Sequence, residues 1–286
     1  MLPEFDLIIP GELDEVIDIL AHDEDAVPLA GGTDLLVEMR AHRKAPARLV
    51  DLGKIAELRR IEVGEKRVTV GGRATVSDIL RHPDMAEFAP SMVAAARVFG
   101  GQMVRNVATV AGNIAGGSPA ADLVPPLLSL DAEITLASSE GRRVVPLDDF
   151  FVGYKESVRQ PEELITEISW NRPSRNWANV FYKLGQRKGD AIAIVNVAVS
   201  IGVEAGKCTL ARIALGSVCP TVIRAKGAED SLLGRVLTPA LIDAAARQAV
   251  EECDPIDDVR ASAEYRSHVV RVLTRRLTTQ AWEGIS

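Results

Sequence analysis

A chain of 286 residues has room for one large domain or two ordinary ones. Its 47% apolar and 26% charged residues are the balance of a globular protein with its own core. The net charge of −7 argues against a general nucleic-acid binder, which needs clustered Lys and Arg, and against an anionic membrane surface.

The N-terminus carries acids where a signal peptide carries bases, and no apolar run reaches the ~18 residues of a membrane span. Cytoplasmic residence is the expectation. Residues 1–9 read as a strand ending at Pro10. In residues 11–20, Leu13, Val16, Ile17 and Leu20 recur at helical spacing. Residues 26–30 form an apolar run into Gly31-Gly32. Thr33 then stands at the expected N-cap, and Leu35, Leu36 and Met39 give the next helix its buried face. Residues 48–52 read as a strand, and 58–63 with 67–71 as a hairpin around Gly64-Glu65. A short helix begins at Thr75 and stops at His82-Pro83. Residues 90–99 form an Ala-rich helix stopped by Gly100-Gly101.

Residues 104–110 lead into a glycine-rich stretch, 109–122. A short helix follows it, then a hairpin of 133–137 with 142–146. Residues 147–154 read as a packed loop and 164–170 as a strand. Residues 171–176 are polar and turn-rich, which places a domain boundary there. Beyond it, 178–184, 191–203 and 208–218 read as antiparallel strands. From Thr238 the chain is helical, over 239–253 and 261–282.

No pair of the four histidines, and no histidine with a cysteine, has metal-ligand spacing, so no metal site is expected. Nor is a disulfide scaffold or an iron–sulfur site, since Cys208, Cys219 and Cys253 show no C-x-x-C spacing. The G-x-S-x-G, Walker A, H-E-x-x-H and G-x-G-x-x-G patterns are missing. Two glycine turns remain, at residues 28–35 and 109–122. A double glycine by itself usually only ends an element, and Gly71-Gly72 and Gly100-Gly101 are read that way. The other two each follow an apolar run, carry a threonine, and have a carboxylate nearby, Asp34 or Asp122. Glycine lets backbone N–H groups approach an anion closely. A carboxylate suits a ribose hydroxyl better than a phosphate. An extended pyrophosphate gripped from two sides accounts for both turns.

Residues 30–35 (Ala-Gly-Gly-Thr-Asp-Leu), 104–113 (Val-Arg-Asn-Val-Ala-Thr-Val-Ala-Gly-Asn) and 118–122 (Ser-Pro-Ala-Ala-Asp) resemble the signatures of one family. It is the FAD-binding medium subunit of molybdenum hydroxylases, the xanthine and carbon monoxide dehydrogenase group. Residues 181–187, 190–197 and 257–266 resemble it too, in the same order along the chain. The resemblance implies an α+β fold. A vanillyl-alcohol-oxidase (PCMH) type FAD-binding domain in two subdomains would occupy residues 1–174. A small α+β domain of antiparallel sheet and helices would occupy 175–286.

It also implies FAD contacts from Pro28, Leu29, Ala30, Gly31, Gly32, Thr33, Asp34 and Leu35 in the first loop. The second would supply Ala108, Thr109, Ala111, Gly112, Asn113, Gly116, Ala121 and Asp122. Phe99, Ile165 and Lys183 would approach the flavin, where a lysine's positive charge favours the reduced anion. No residue of this chain would be catalytic. A molybdenum cofactor would reside in a large partner subunit and 2Fe-2S clusters in a small one, in a dimer of heterotrimers, a heterohexamer. FAD would pass electrons to NAD+, oxygen, a quinone or another acceptor. Ala191 stands where some members carry a tyrosine, and no cysteine-bearing loop for a 4Fe-4S cluster is present. The alternatives are a self-contained FAD-dependent oxidoreductase of the same fold, and a scaffold that has lost its FAD.

Overall fold

The computed structural model describes residues 2–173, 176–187 and 189–285. The chain opens with β1 (Asp6–Ile8), α1 (Leu13–His22), β2 (Ala26–Leu29), α2 (Leu35–Arg40) and β3 (Arg48–Asp51). β3 is the middle strand of a three-stranded sheet and is parallel to both neighbours. Leu13, Val16 and Leu20 lie on one face of α1 and bury against Val50, Leu52, Ile55 and Leu58. The strand expected over residues 1–9 is confined to Asp6–Ile8, the residues paired with β3.

The next subdomain contains β4 (Ile61–Val63), β5 (Arg67–Gly71), α3 (Val76–Arg81), α4 (Met85–Phe88), α5 (Pro90–Val98), α6 (Gln102–Arg105), α7 (Val110–Ala115) and α8 (Val124–Ser129). Strands β6 (Glu133–Ser138), β7 (Gly141–Pro146), β8 (Phe151–Gly153), β9 (Glu156–Ser157) and β10 (Leu164–Asn171) follow. Five strands form one antiparallel sheet in the order β4-β5-β10-β6-β7, so the last strand enters between two hairpins. Trp170 closes the core beneath it, its indole N–H donating to the Phe88 carbonyl at 3.3 Å. One expectation is corrected. Residues 147–154 are not a loop: a short 3-10 turn leads into β8, which pairs with β9.

Helix α3 has a complete capping box. The Thr75 hydroxyl accepts from the Asp78 N–H at 3.1 Å, and the Asp78 carboxylate accepts from the Thr75 N–H at 3.0 Å. Arg59 adds two hydrogen bonds of 2.9 Å to that carboxylate. Burial pushes the Asp78 carboxyl up, but Arg59 and the Thr75 donors outweigh it and hold the pKa at about 2, against 3.8 for a free aspartate. The unfolded chain therefore binds the proton first on acidification. The contribution of Asp78 is fully present above about pH 4 and is lost as pH falls through about 2. We expect the urea midpoint of the Asp78→Asn variant to fall less steeply than wild type between pH 5 and pH 2; parallel curves would contradict this.

The final unit comprises β11 (Trp177–Gly185), β12 (Ala193–Glu204), β13 (Lys207–Gly216), β14 (Ile223–Arg224), α9 (Lys226–Leu232), α10 (Pro239–Glu251) and α11 (Ala263–Glu283). The four strands are antiparallel and in sequence order. The first ten residues of β12 are buried because both of its faces are covered. Val195, Val197, Val199 and Ile201 enter the core under α10 and α11, while Ala198 faces the preceding domain.

That second face carries a polar seam. Asn179 donates to Ser129 Oγ (3.0 Å) and Ser200 Oγ (2.7 Å), and its Oδ1 accepts from the Ser91 N–H (3.0 Å). Asn196 donates to the Ala121 carbonyl at 3.2 Å. Side chains of the final sheet thus complete the hydrogen bonding of the loops before it. The boundary expected between residues 174 and 175 falls outside the described residues.

Candidate functional site

A cleft of about 500 Å³ opens between the first and second subdomains, within the size range of cofactor sites. One wall is the turn after β2, residues 28–35. The opposite wall is residues 108–116 with Phe99, Val104 and Gly72. Leu52, Leu58, Leu164 and Ile165 line its floor.

The two walls meet at Gly31. A Cβ there would lie 2.0 Å from the Val107 carbonyl oxygen and 2.6 Å from its carbon, so only glycine allows this approach. Gly32 has φ +66°, in the left-handed region, which turns the chain into α2. The backbone N–H groups of Gly31, Gly32, Thr33 and Asp34 find no backbone acceptor among the described residues. They form a row of unspent donors on the cleft wall. The expected Thr33 cap is corrected: Asp34 is the N-cap of α2 and makes no side-chain cap bond. With only six residues in α2, the donors of the turn matter more than any helix dipole.

The second wall begins at Thr109, whose hydroxyl accepts from the Gly112 N–H at 3.0 Å and caps α7. Asn113 Oδ1 accepts from the Leu123 N–H at 3.1 Å, tying this helix to the start of α8. The Asp34 carboxylate approaches Gly116, where a Cβ would lie 3.8 Å away, so the two walls also come together here. At the floor, the pairing of β10 with β6 is interrupted between Ile165 and Glu167. The Gly72 N–H donates to the Thr166 carbonyl at 2.8 Å, and a Cβ on Gly72 would meet the Ile165 carbonyl at 2.2 Å. The irregularity and the glycine together bring the backbone of Ile165 to the cleft.

All the residues singled out from sequence line this cleft except Ala121, Asp122 and Lys183. Those three lie just behind it. Lys183 Nζ is 2.5 Å from Asp122 Oδ2 and 3.4 Å from the Val98 carbonyl, one residue before Phe99. Burial pushes the Asp122 carboxyl above its ordinary range, and the Lys183 charge works against that shift. Sequence reading missed Gly72, which it took as a mere terminator, and the cations Lys44, Lys155 and Arg159 at the cleft. Glu38 holds Lys44 (3.1 Å) and Lys155 (3.3 Å) together, and hydrogen bonding from Lys44 leads in lowering its pKa. No local pattern places Lys155 at the cleft, since its partner Glu38 lies 117 residues away in the chain. None of the described residues lining the cleft is a His or a Cys.

A cleft with one row of free amide donors, an apolar floor and a carboxylate suited to a sugar hydroxyl matches a dinucleotide bearing a flat, apolar ring system. Residues 3–170 match the family described as the FAD binding domain in molybdopterin dehydrogenase. Residues 180–281 match the CO dehydrogenase flavoprotein C-terminal domain. The carbon monoxide dehydrogenase medium chain of Hydrogenophaga pseudoflava is 31% identical over 98% of both chains. The nicotine 6-hydroxylase medium subunit of Paenarthrobacter nicotinovorans is 32% identical, again over 98% of each. A solved structure of carbon monoxide dehydrogenase from Hydrogenophaga pseudoflava, lacking the Mo-pyranopterin moiety of its molybdenum cofactor, superimposes with a TM-score of 0.96 over 100% of both chains at 31% identity.

The chain therefore belongs to the FAD-binding subunits of the molybdenum hydroxylase family. It is an oxidoreductase subunit with FAD as its own cofactor, and its fold is the α+β arrangement of those subunits.

Proposed function

We propose that this chain is the electron-relay subunit of a molybdenum-dependent dehydrogenase. It would take electrons from 2Fe-2S clusters in a small partner and deliver them through FAD to NAD+, oxygen, a quinone or another acceptor. A large partner would carry the molybdenum cofactor and the substrate. The carrying observation is Gly31, where the two walls of the cleft meet beside a row of free N–H donors.

FAD supplies reversible transfer of one or two electrons, which no side chain can perform. The protein's part is to bind it and shape its surroundings. The N–H groups of Gly31–Asp34 would hold the pyrophosphate, and the Asp34 carboxylate a ribose hydroxyl. Thr109 keeps the second wall in register through Gly112. Asn113, its Oδ1 engaged by Leu123, has its Nδ2 left as a donor. Phe99, Leu52, Leu58 and Ile165 would keep water from the ring. Lys183 and Asp122 sit behind Phe99 as a charged pair that sets the local field.

We place the domain division at 174/175 and the assembly, a dimer of heterotrimers, in the cytoplasm. Relatives of nearly equal similarity are named for carbon monoxide and for nicotine, which fits a substrate bound in another subunit. No helix among the described residues is long and apolar enough to cross a membrane. The test is purification of the native assembly through a tag on this chain, with subunit masses and an absorption spectrum. Flavin together with a large molybdenum subunit and a small iron–sulfur subunit is the expected result. A lone flavin-bearing chain that turns over a substrate would refute the proposal and favour a self-contained oxidoreductase.

A further inference from the structure

The C-terminal unit brings two of its three cysteines together, and neither lines the cleft. Cys219 lies just beyond β13 and Cys253 just beyond α10, both partly exposed. The backbone on either side of Cys253 grips the Cys219 sulfur. The Asp254 N–H donates to Cys219 Sγ at 3.3 Å, and the Glu252 carbonyl lies 3.7 Å from it. The same Asp254 N–H also reaches the Val218 carbonyl at 2.9 Å, which fixes the two segments side by side. The Cys253 thiol donates to the Ala249 carbonyl at 3.2 Å and lies beside the Cys219 sulfur, close enough for each to perturb the other. The relay through FAD makes no use of this pair.

We propose that Cys219 and Cys253 form a peroxide-oxidised dithiol, a covalent modification site that closes to a disulfide and reopens with a thiol reductant. The oxidant is hydrogen peroxide. The Cys219 sulfur attacks one peroxide oxygen and the O–O bond breaks. The departing hydroxide takes a proton and leaves as water, and Cys219 becomes a sulfenic acid. The Cys253 sulfur then attacks the Cys219 sulfur, the S–O bond breaks, and the hydroxyl leaves with the Cys253 proton as a second water. Two thiols lose two electrons and two protons, and one peroxide becomes two waters.

The surroundings assign the two roles. The neighbouring Cys253 side chain, with help from the Asp254 N–H, lowers the Cys219 pKa to about 7 against burial and the Asp254 charge. That makes Cys219 the nucleophile, because the thiolate is the reactive form. Cys253 is pushed up, first by the neighbouring Cys219 side chain and then by burial, so it keeps its proton until the second step. The nearby Glu252 carboxylate is engaged elsewhere, accepting from the Gly227 (3.1 Å) and Ala228 (3.0 Å) N–H groups. Cys208 is the internal control: it is fully buried, and burial pushes it up to about 11.

The experiment is a hydrogen peroxide titration of the full-length chain, with thiol counting and peptide mapping. Three free thiols should fall to one, with a Cys219–Cys253 cross-link, and dithiothreitol should restore all three. Cys208→Ser should leave the cross-link intact. Cys253→Ser should stop at a sulfenic acid on Cys219 that dimedone captures. Three surviving thiols, a cross-link through Cys208, or over-oxidation of Cys219 with Cys253 unlinked would each overturn the proposal.

Discussion

Gly31→Val is expected to retain less than about a tenth of the wild-type FAD, a loss of more than about 1.4 kcal/mol in binding. The new Cβ would fall 2.0 Å from the Val107 carbonyl oxygen, and its near neighbours are all backbone. No rotamer change relieves such an overlap, so the first turn must move away from residues 107–108. Forcing extra bulk into a packed contact costs about 1–3 kcal/mol even where side chains can yield. Gly32→Val reaches the same end by another route, since φ +66° strains any branched residue and the Cβ would press on Leu36. Gly101 has open space around its Cβ position and an ordinary φ, so Gly101→Ala should keep its FAD. The flavin absorbance of purified variants, with circular dichroism to show that the fold persists, reads the difference. Normal FAD in Gly31→Val would remove the basis for a cleft closed by two walls.

Asp122→Ala is the second large effect, and it falls on stability. Asp122 and Lys183 side chains are only 10% and 6% exposed, and the pair joins the loop before α8 to β11. Removing one partner strands the other charge in the interior, at a cost of about 3–5 kcal/mol. For a chain of this size, the thermal midpoint should fall by on the order of 10 °C. Lys183→Met alone should cost a similar amount. The double variant should recover most of the loss, because neither charge is then left unpaired. A double-variant cycle in thermal or urea unfolding measures this coupling. Single variants that each lose under about 1 kcal/mol would show the pair behaving as a surface ion pair.

Elements with a strong local signal were legible in the sequence. The spacing of Leu13, Val16 and Leu20 marks α1, and Pro239 after Thr238 marks the start of α10, whose Thr238 hydroxyl accepts from the Leu241 N–H. The long β-branched run of β12 reads as a strand, and its double burial follows from having apolar neighbours on both faces. What was illegible depends on distant pairing. Nothing local tells that β10 inserts between β5 and β6, or that Gly72 must be small because the Ile165 carbonyl approaches it. β14 was missed because it has only two residues, and α9 because it starts after Ala225 with no side-chain cap and carries Gly227 in its first turn.

The site divides the same way. The glycine turns announce themselves through composition, and both line the cleft. Asp122 and Lys183 carry no mutual signal in the chain, yet their contact stitches the two domains together behind that cleft. Cys219 and Cys253 likewise lack any spacing motif, and only the turn at Asp254 brings them together.

The measurement that bears most directly on the relay is the FAD-to-polypeptide ratio of the native assembly, read together with flavin bleaching when an oxidisable substrate is added without oxygen. One FAD for each copy of this chain, reduced by substrate only while the molybdenum and iron–sulfur subunits are present, is the predicted result. An assembly without flavin, or flavin that substrate reduces in this chain alone, would contradict it.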